Sequence, residues 1–180
     1  MTLGETTTGV FSTRYDPEDR YLACGYGDGA TRIYNLETGK LSFTLSGAHV
    51  LNTVHDEMPV TGIRWRPQTA SLKTQNVLVT TQADGSLKHW HATSGKCLHA
   101  RCDDPENHLF CLDYNTDGTL LATGGKDTVV RVYDEVTKSI KLSVKGSTGS
   151  HVGHSNRIFS VKFNPYNENM VVSGGWDSVL

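Results

Sequence analysis

The sequence predicts an all-β protein assembled from stacked repeats, and three observations carry that prediction. Residues 109–134 (LFCLDYNTDGTLLATGGKDTVVRVYD) hold three short apolar runs separated by Asp-Gly and Gly-Gly turns. The runs alternate with period two and favour β-branched and aromatic residues, the pattern of an antiparallel meander. The same template recurs at residues 10–35, 60–91 and 158–180. In the first three copies the turn aspartate stands six residues before the aromatic that ends the third run: Asp28 and Tyr34, Asp84 and Trp90, Asp127 and Tyr133. A ribbon of three short strands is marginal alone, so repeats of this size are expected to stack.

Taken in order, residues 1–9 show no periodicity and read as a flexible lead-in. Repeat one follows, then the polar turn at residues 36–40 and an outer strand at 41–45, with Leu41, Phe43 and Leu45 expected to face inward. Each repeat opens with a small residue (Ser12, Gly62, Cys111, Ser160) and an aromatic three positions later (Tyr15, Trp65, Tyr114, Phe163). In repeat three, Phe110, Leu112 and Tyr114 alternate with smaller or polar residues, as on one face of a strand. Repeat two carries an insertion at residues 68–76, and the connections at 46–59, 102–108 and 145–157 are irregular. The Gly-Lys pairs at 39–40 and 95–96 are turns, because no GxxxxGK[ST] loop is present.

A net charge of −2 and a pI near 6.4 leave no basic surplus to neutralise phosphates, so nucleic-acid binding is not expected. No apolar stretch is long enough for a membrane span, and the start lacks the basic and apolar regions of a signal peptide. Cys24, Cys97, Cys102 and Cys111 form no paired framework, which suggests a reduced, cytoplasmic protein.

The repeat resembles the WD40 family through Gly153-His154, the turn aspartates Asp28, Asp84, Asp127 and Asp177, and the endings Tyr34-Asn35, Trp90-His91 and Tyr133-Asp134. The resemblance implies a β-propeller of four-stranded blades, with blades at about 10–45, 60–101 and 109–144 and an incomplete fourth at 158–180. That is about three and a half blades of a probable seven. An open arc would leave a blade face in water at a cost on the order of 10 kcal/mol. Completion of the ring by further C-terminal residues or by another chain is therefore expected. The resemblance also implies a structural hydrogen-bond relay from turn Asp to His to strand hydroxyl to Trp indole. The matching residues are His55, Thr80, Asp84 and Trp90 in repeat two, and His154, Ser173 and Asp177 in repeat four. In this family the residue before each turn aspartate points from the top rim. Lys126 and Trp176, with Asn156 and Arg157 nearby, are thus candidates for partner binding.

The expected function is a non-enzymatic protein-interaction scaffold in a larger assembly, without cofactor or metal. The wording of repeats two to four is similar to WD-repeat proteins of ciliated cells, which suggests a ciliary, axonemal or other cytoskeletal complex. The alternative is a hydrolase using His154, Ser173 and Asp177, or a metal-dependent enzyme using the His/Cys-rich run at residues 89–111. The run (His89, His91, Cys97, His99, Cys102, His108, Cys111) lacks the CxxC and HxxxH spacings of zinc sites. The serine lacks a GxSxG elbow.

Overall fold

A computed structural model describes residues 7–47, 58–69, 76–146 and 153–178. Fourteen strands fill the described residues, and each sheet is a meander whose strands pair in chain order. The first sheet contains β1 (Val10–Tyr15), β2 (Tyr21–Tyr26), β3 (Thr31–Asn35) and β4 (Leu41–Leu45). The second contains β5 (Val60–Trp65), β6 (Val77–Gln82), β7 (Ser86–His91) and β8 (Lys96–Cys102). The third contains β9 (Leu109–Tyr114), β10 (Leu120–Gly125), β11 (Val130–Asp134) and β12 (Ile140–Val144). A two-stranded ribbon, β13 (Ile158–Asn164) with β14 (Asn167–Gly175), follows. Every pairing is antiparallel.

The core lies between successive sheets. Ala23, Ile33 and Leu45 of the first pack on Val60, Ile63, Leu78 and Trp90 of the second. Val77, Val79 and Leu87 pack on Leu109, Leu112, Tyr114, Leu121 and Tyr133 of the third. Ala122, Val130 and Val132 then meet Ile158, Val161 and Phe163. The sheets stack as propeller blades do, with β1, β5, β9 and β13 side by side at the inner edge. A middle strand is covered on both faces, which is why all six residues of β6 are buried. The approach is close: a Cβ on Gly25 would lie 2.6 Å from the Val60 side chain, and one on Gly124 would lie 2.6 Å from Ile158.

Two expectations about side-chain direction need correction. Leu41 does not face inward with Phe43 and Leu45: it is 51% exposed while Leu45 is fully buried. The strand is the outer edge of its sheet, and the register with β3 shifts between Ile33 and Tyr34, so Leu41 leaves the alternation. Phe110 does not share the buried face of Leu112 and Tyr114. Leu109 takes that place, because β9 carries an irregularity between Gly125↔Leu109 and Gly124↔Cys111 that sets Phe110 out of the pairing. The same shift recurs at Phe11, Thr61 and Phe159 in β1, β5 and β13.

Candidate functional site

The turn aspartates and the described residues leading into β5, β9 and β13 lie at one end of the inner strands, the upper rim, where the N–H groups of Ala83, Lys126 and Trp176 donate to the Pro59, His108 and Arg157 carbonyls. In the fourth blade the imidazole of His154 joins the two. Its Nδ1 lies 2.9 Å from an Asp177 carboxylate oxygen and its Nε2 lies 2.9 Å from Ser173 Oγ. Asp177 also accepts the Ser155 backbone N–H at 2.7 Å. The His154 and Asp177 side chains are 6% and 3% exposed, so the pair is held in a poorly solvated pocket. In the second blade the Trp90 indole N–H donates to Thr80 Oγ1 at 3.0 Å. Asp84 accepts the Ser86 backbone N–H at 2.8 Å, and His55 lies outside the described residues.

Blades one and three use a different bond at the same turn. Asp28 pairs with Arg32 at 2.7 Å and Asp127 with Arg131 at 2.5 Å, each four residues on. The aromatic endings also find new partners. Tyr34 shares a hydrogen bond with Tyr26 at 2.9 Å, and the Tyr133 hydroxyl donates to Asp103 at 2.9 Å. A phenol extends farther than an indole N–H, so it reaches a partner beyond the hydroxyl position used by Trp90. The spacing DxxxR was the available signal for the arginine pairs.

Sequence reasoning missed a row of rings across this rim. His108 stacks on Phe110 with centroids 6.4 Å apart, Phe110 on Phe159 at 4.8 Å, and Phe159 meets Trp176 at 4.7 Å. The Arg157 guanidinium lies 5.9 Å from the Trp176 ring centroid. Phe110 and Phe159 reach the row because the strand irregularities turn them out of the ladder. Two adjacent large apolar residues at each strand start (Val10-Phe11, Leu109-Phe110, Ile158-Phe159) break period-two alternation and were the legible sign. Trp176 is 67% exposed and Phe159 38%. Of the four partner-binding candidates, Arg157 and Trp176 are in contact, and Asn156 accepts the Arg157 backbone N–H at 2.8 Å. Lys126 is exposed at the other end of the row, its N–H donating to the His108 carbonyl at 2.9 Å.

The His/Cys-rich run separates instead of converging. His91 Nδ1 contacts Ser94 at 2.7 Å in an exposed turn. His89 is buried and its Nε2 lies 2.8 Å from Glu135 Oε1. The other Glu135 oxygen accepts from Tyr114 at 2.8 Å, Arg66 at 2.9 Å and Lys138 at 2.8 Å. These residues belong to blades two and three, so one carboxylate bridges the interface. Burial alone would raise the Glu135 pKa, but the hydrogen bonds from His89 and Lys138 and the Lys138 charge outweigh it and hold it well below the usual carboxylate range. Burial lowers the His89 pKa, and its Nε2–H donates to Glu135 while Nδ1 has no hydrogen-bond partner. All four cysteines are free, and burial pushes the Cys111 thiol up to about 12. Among the described residues no group of three or more His, Cys, Asp or Glu side chains has metal-binding geometry, and no helix is long and apolar enough to cross a membrane.

Consecutive four-stranded meanders packed face to face, with their first strands lining one edge, define a β-propeller section. The family profile "WD domain, G-beta repeat" matches residues 1–35, 95–134 and 146–180, more than half of the sequence. The chain belongs to the WD40 family. It is 28% identical over 176 residues to WD repeat-containing protein 91 of Gallus gallus, covering 88% of this chain and 22% of that protein. It is 28% identical over 170 residues to Coronin-7 of Rattus norvegicus, covering 94% of this chain and 17% of that protein. Transcription initiation factor TFIID subunit 5 of Caenorhabditis elegans is 27% identical over 156 residues, with 87% and 20% covered. The chain thus spans about a fifth of the length of these relatives. A chain in the crystal structure of the mitotic checkpoint complex superposes with a TM-score of 0.75 at 21% identity, over 96% of this chain and 46% of that one, and shares the fold. Propellers of this family are generally non-enzymatic, and membership supports a protein-interaction scaffold role.

Proposed function

We propose that this chain is a non-enzymatic scaffold that holds partner proteins on its upper rim within a larger assembly. The supporting observation is the row from His108 through Phe110 and Phe159 to Trp176, flanked by exposed Lys126 and Arg157. Rigid strands present it, half-buried at His108 and Phe110 and exposed at Phe159 and Trp176, and an apolar patch bordered by charge is the usual form of a protein interface. The Asp177–His154–Ser173 relay has the order of a hydrolytic triad but serves here as a clamp between the blade-entry loop and the turn. Ser173 sits within β14, opposite Val161 in the ladder, instead of on an exposed elbow.

The blade division at about 10–45, 60–101, 109–144 and 158–180 belongs to the same proposal, as does ring completion by further residues or another chain. Cytoplasmic placement with cytoskeletal or ciliary association is also proposed, from the wording of the repeats. Proximity labelling in ciliated cells tests it, and labelling with no enrichment of axonemal or cytoskeletal proteins would remove it.

Cross-linking mass spectrometry on the native complex tests the rim. Links to another protein are expected from Lys126 or from Lys145, which is exposed directly after β12, and Trp176→Ala should weaken that association about thirtyfold, near 2 kcal/mol for an interface anchor. Unchanged links in Trp176→Ala and Arg157→Glu would show that this rim does not carry the partner.

A further inference from the structure

The opposite end of the inner strands carries a feature that neither the clamps nor the aromatic row explains. Arg14, Arg64, Asp113 and Lys162 stand one position before the aromatics Tyr15, Trp65, Tyr114 and Phe163 of four consecutive blades. Asp113 is paired from both sides, to Arg64 at 2.7 Å and to Lys162 at 3.2 Å, and it also accepts the Phe163 backbone N–H at 3.1 Å. Arg14 forms no ion pair among the described residues, its guanidinium donating to the Thr13 carbonyl at 3.0 Å. Arg14 is exposed on β1, and partial desolvation and the neighbouring Arg64 charge lower its pKa against the opposing pull of Asp113. Among the described residues of this mouth three cations face one carboxylate, with Arg14 and Lys162 exposed to solvent.

These cations line two cavities. One of about 140 Å³ lies between the inner strands and extends toward Phe110 and Phe159. The other, about 290 Å³, is open at the lower end and lined by Arg14, Tyr15, Pro17, Arg64, Trp65 and Lys162. Arg14, Arg64 and Lys162 belong to both linings. The open cavity is at the small end of the ligand-site range of about 300–1,000 Å³. Like charges fixed on rigid strands repel, and a bound anion removes that repulsion. A guanidinium fork matches phosphate geometry, and a phosphate monoester carries close to two negative charges at neutral pH.

We propose that the lower mouth of the inner-strand channel binds a compact, phosphate-bearing small molecule through Arg14, Arg64 and Lys162. The test titrates inorganic pyrophosphate into the full-length protein by calorimetry, with a sodium chloride control at equal ionic strength. A second arm measures sedimentation with phosphatidylcholine vesicles, with and without phosphoinositide. Saturable one-site binding is expected, weakened about tenfold by Arg14→Gln and by Lys162→Gln and unaffected by Lys126→Gln on the upper rim. Arg14→Gln should fold with the wild-type melting temperature, which separates ligand binding from stability. Absence of pyrophosphate binding, or binding that Arg14→Gln and Lys162→Gln leave unchanged, overturns the site. Association with phosphoinositide vesicles but not with pyrophosphate overturns the small-molecule assignment.

Discussion

Replacing Glu135 by Gln should destabilise the protein more than any substitution on its exposed surface. Its side chain is 1% exposed, and it takes hydrogen bonds from His89, Arg66, Tyr114 and Lys138. Gln keeps the shape and part of the hydrogen bonding but removes the charge facing Arg66, whose side chain is only 9% exposed. Breaking a buried ion pair from one side costs about 3–5 kcal/mol. Lys138, at 23% exposure, retains some hydration, which places Glu135→Gln near the lower bound, about 3 kcal/mol. A domain of this size should then melt about 6–12 °C lower.

The acid limb gives a second readout. The folded pKa of Glu135 is depressed, so its stabilisation is complete above the unfolded value of about 4.3 and is lost as pH falls toward the folded value. The variant should lack that portion of the acid-induced loss. His89 is buried and resists protonation, so both proteins should weaken below about pH 6.5, where the unfolded chain takes up the proton. Urea unfolding at pH 7, 5 and 3.5 measures all of this. A Glu135→Gln stability within about 0.5 kcal/mol of wild type at every pH, the range of ordinary surface changes, would refute the reasoning.

Two further outcomes follow from the geometry. Ser173→Ala removes the His154 contact at 2.9 Å and should cost about 0.5–1.5 kcal/mol in urea unfolding while changing no ester or peptide turnover; a hydrolytic activity lost in this variant would restore the triad reading. Gly62→Ala places a Cβ 2.5 Å from Leu112 and 2.7 Å from Thr81 Oγ1, so it should destabilise by about 1–3 kcal/mol, and an unchanged melting temperature would show that the second and third blades are not packed this closely.

The meanders were legible because their signals are local. Turn residues and period-two alternation mark each strand, and the constant step from turn aspartate to strand-ending aromatic marks the repeat. Other features depended on geometry between strands. Phe110 obeys the alternation with Leu112 and Tyr114 in sequence, yet one register irregularity moves it from the core to the rim row. Glu135 follows Asp134 in what reads as an ordinary polar turn, and its four partners come from positions 66, 89, 114 and 138. Its burial arises only when the third blade docks on the second. Arg14, Arg64 and Lys162 lie far apart in the sequence, and stacking the repeats brings them to one open cavity.

The stacking also divides the roles of the two ends. At the upper rim the turn aspartates are largely satisfied within each blade, by His154 for Asp177 and by arginines for Asp28 and Asp127, leaving the ring row with Lys126 and Arg157 at its ends as the presented surface. At the lower mouth the charges are shared between blades and do not balance. An apolar row over neutralised turns suits a protein partner, because little desolvation of charge opposes docking. An unbalanced cationic mouth suits a small anion, whose charge supplies what the strands lack. Phe110 and Phe159 also line the smaller cavity, so the substitutions that separate the two surfaces are Trp176→Ala above and Arg14→Gln below.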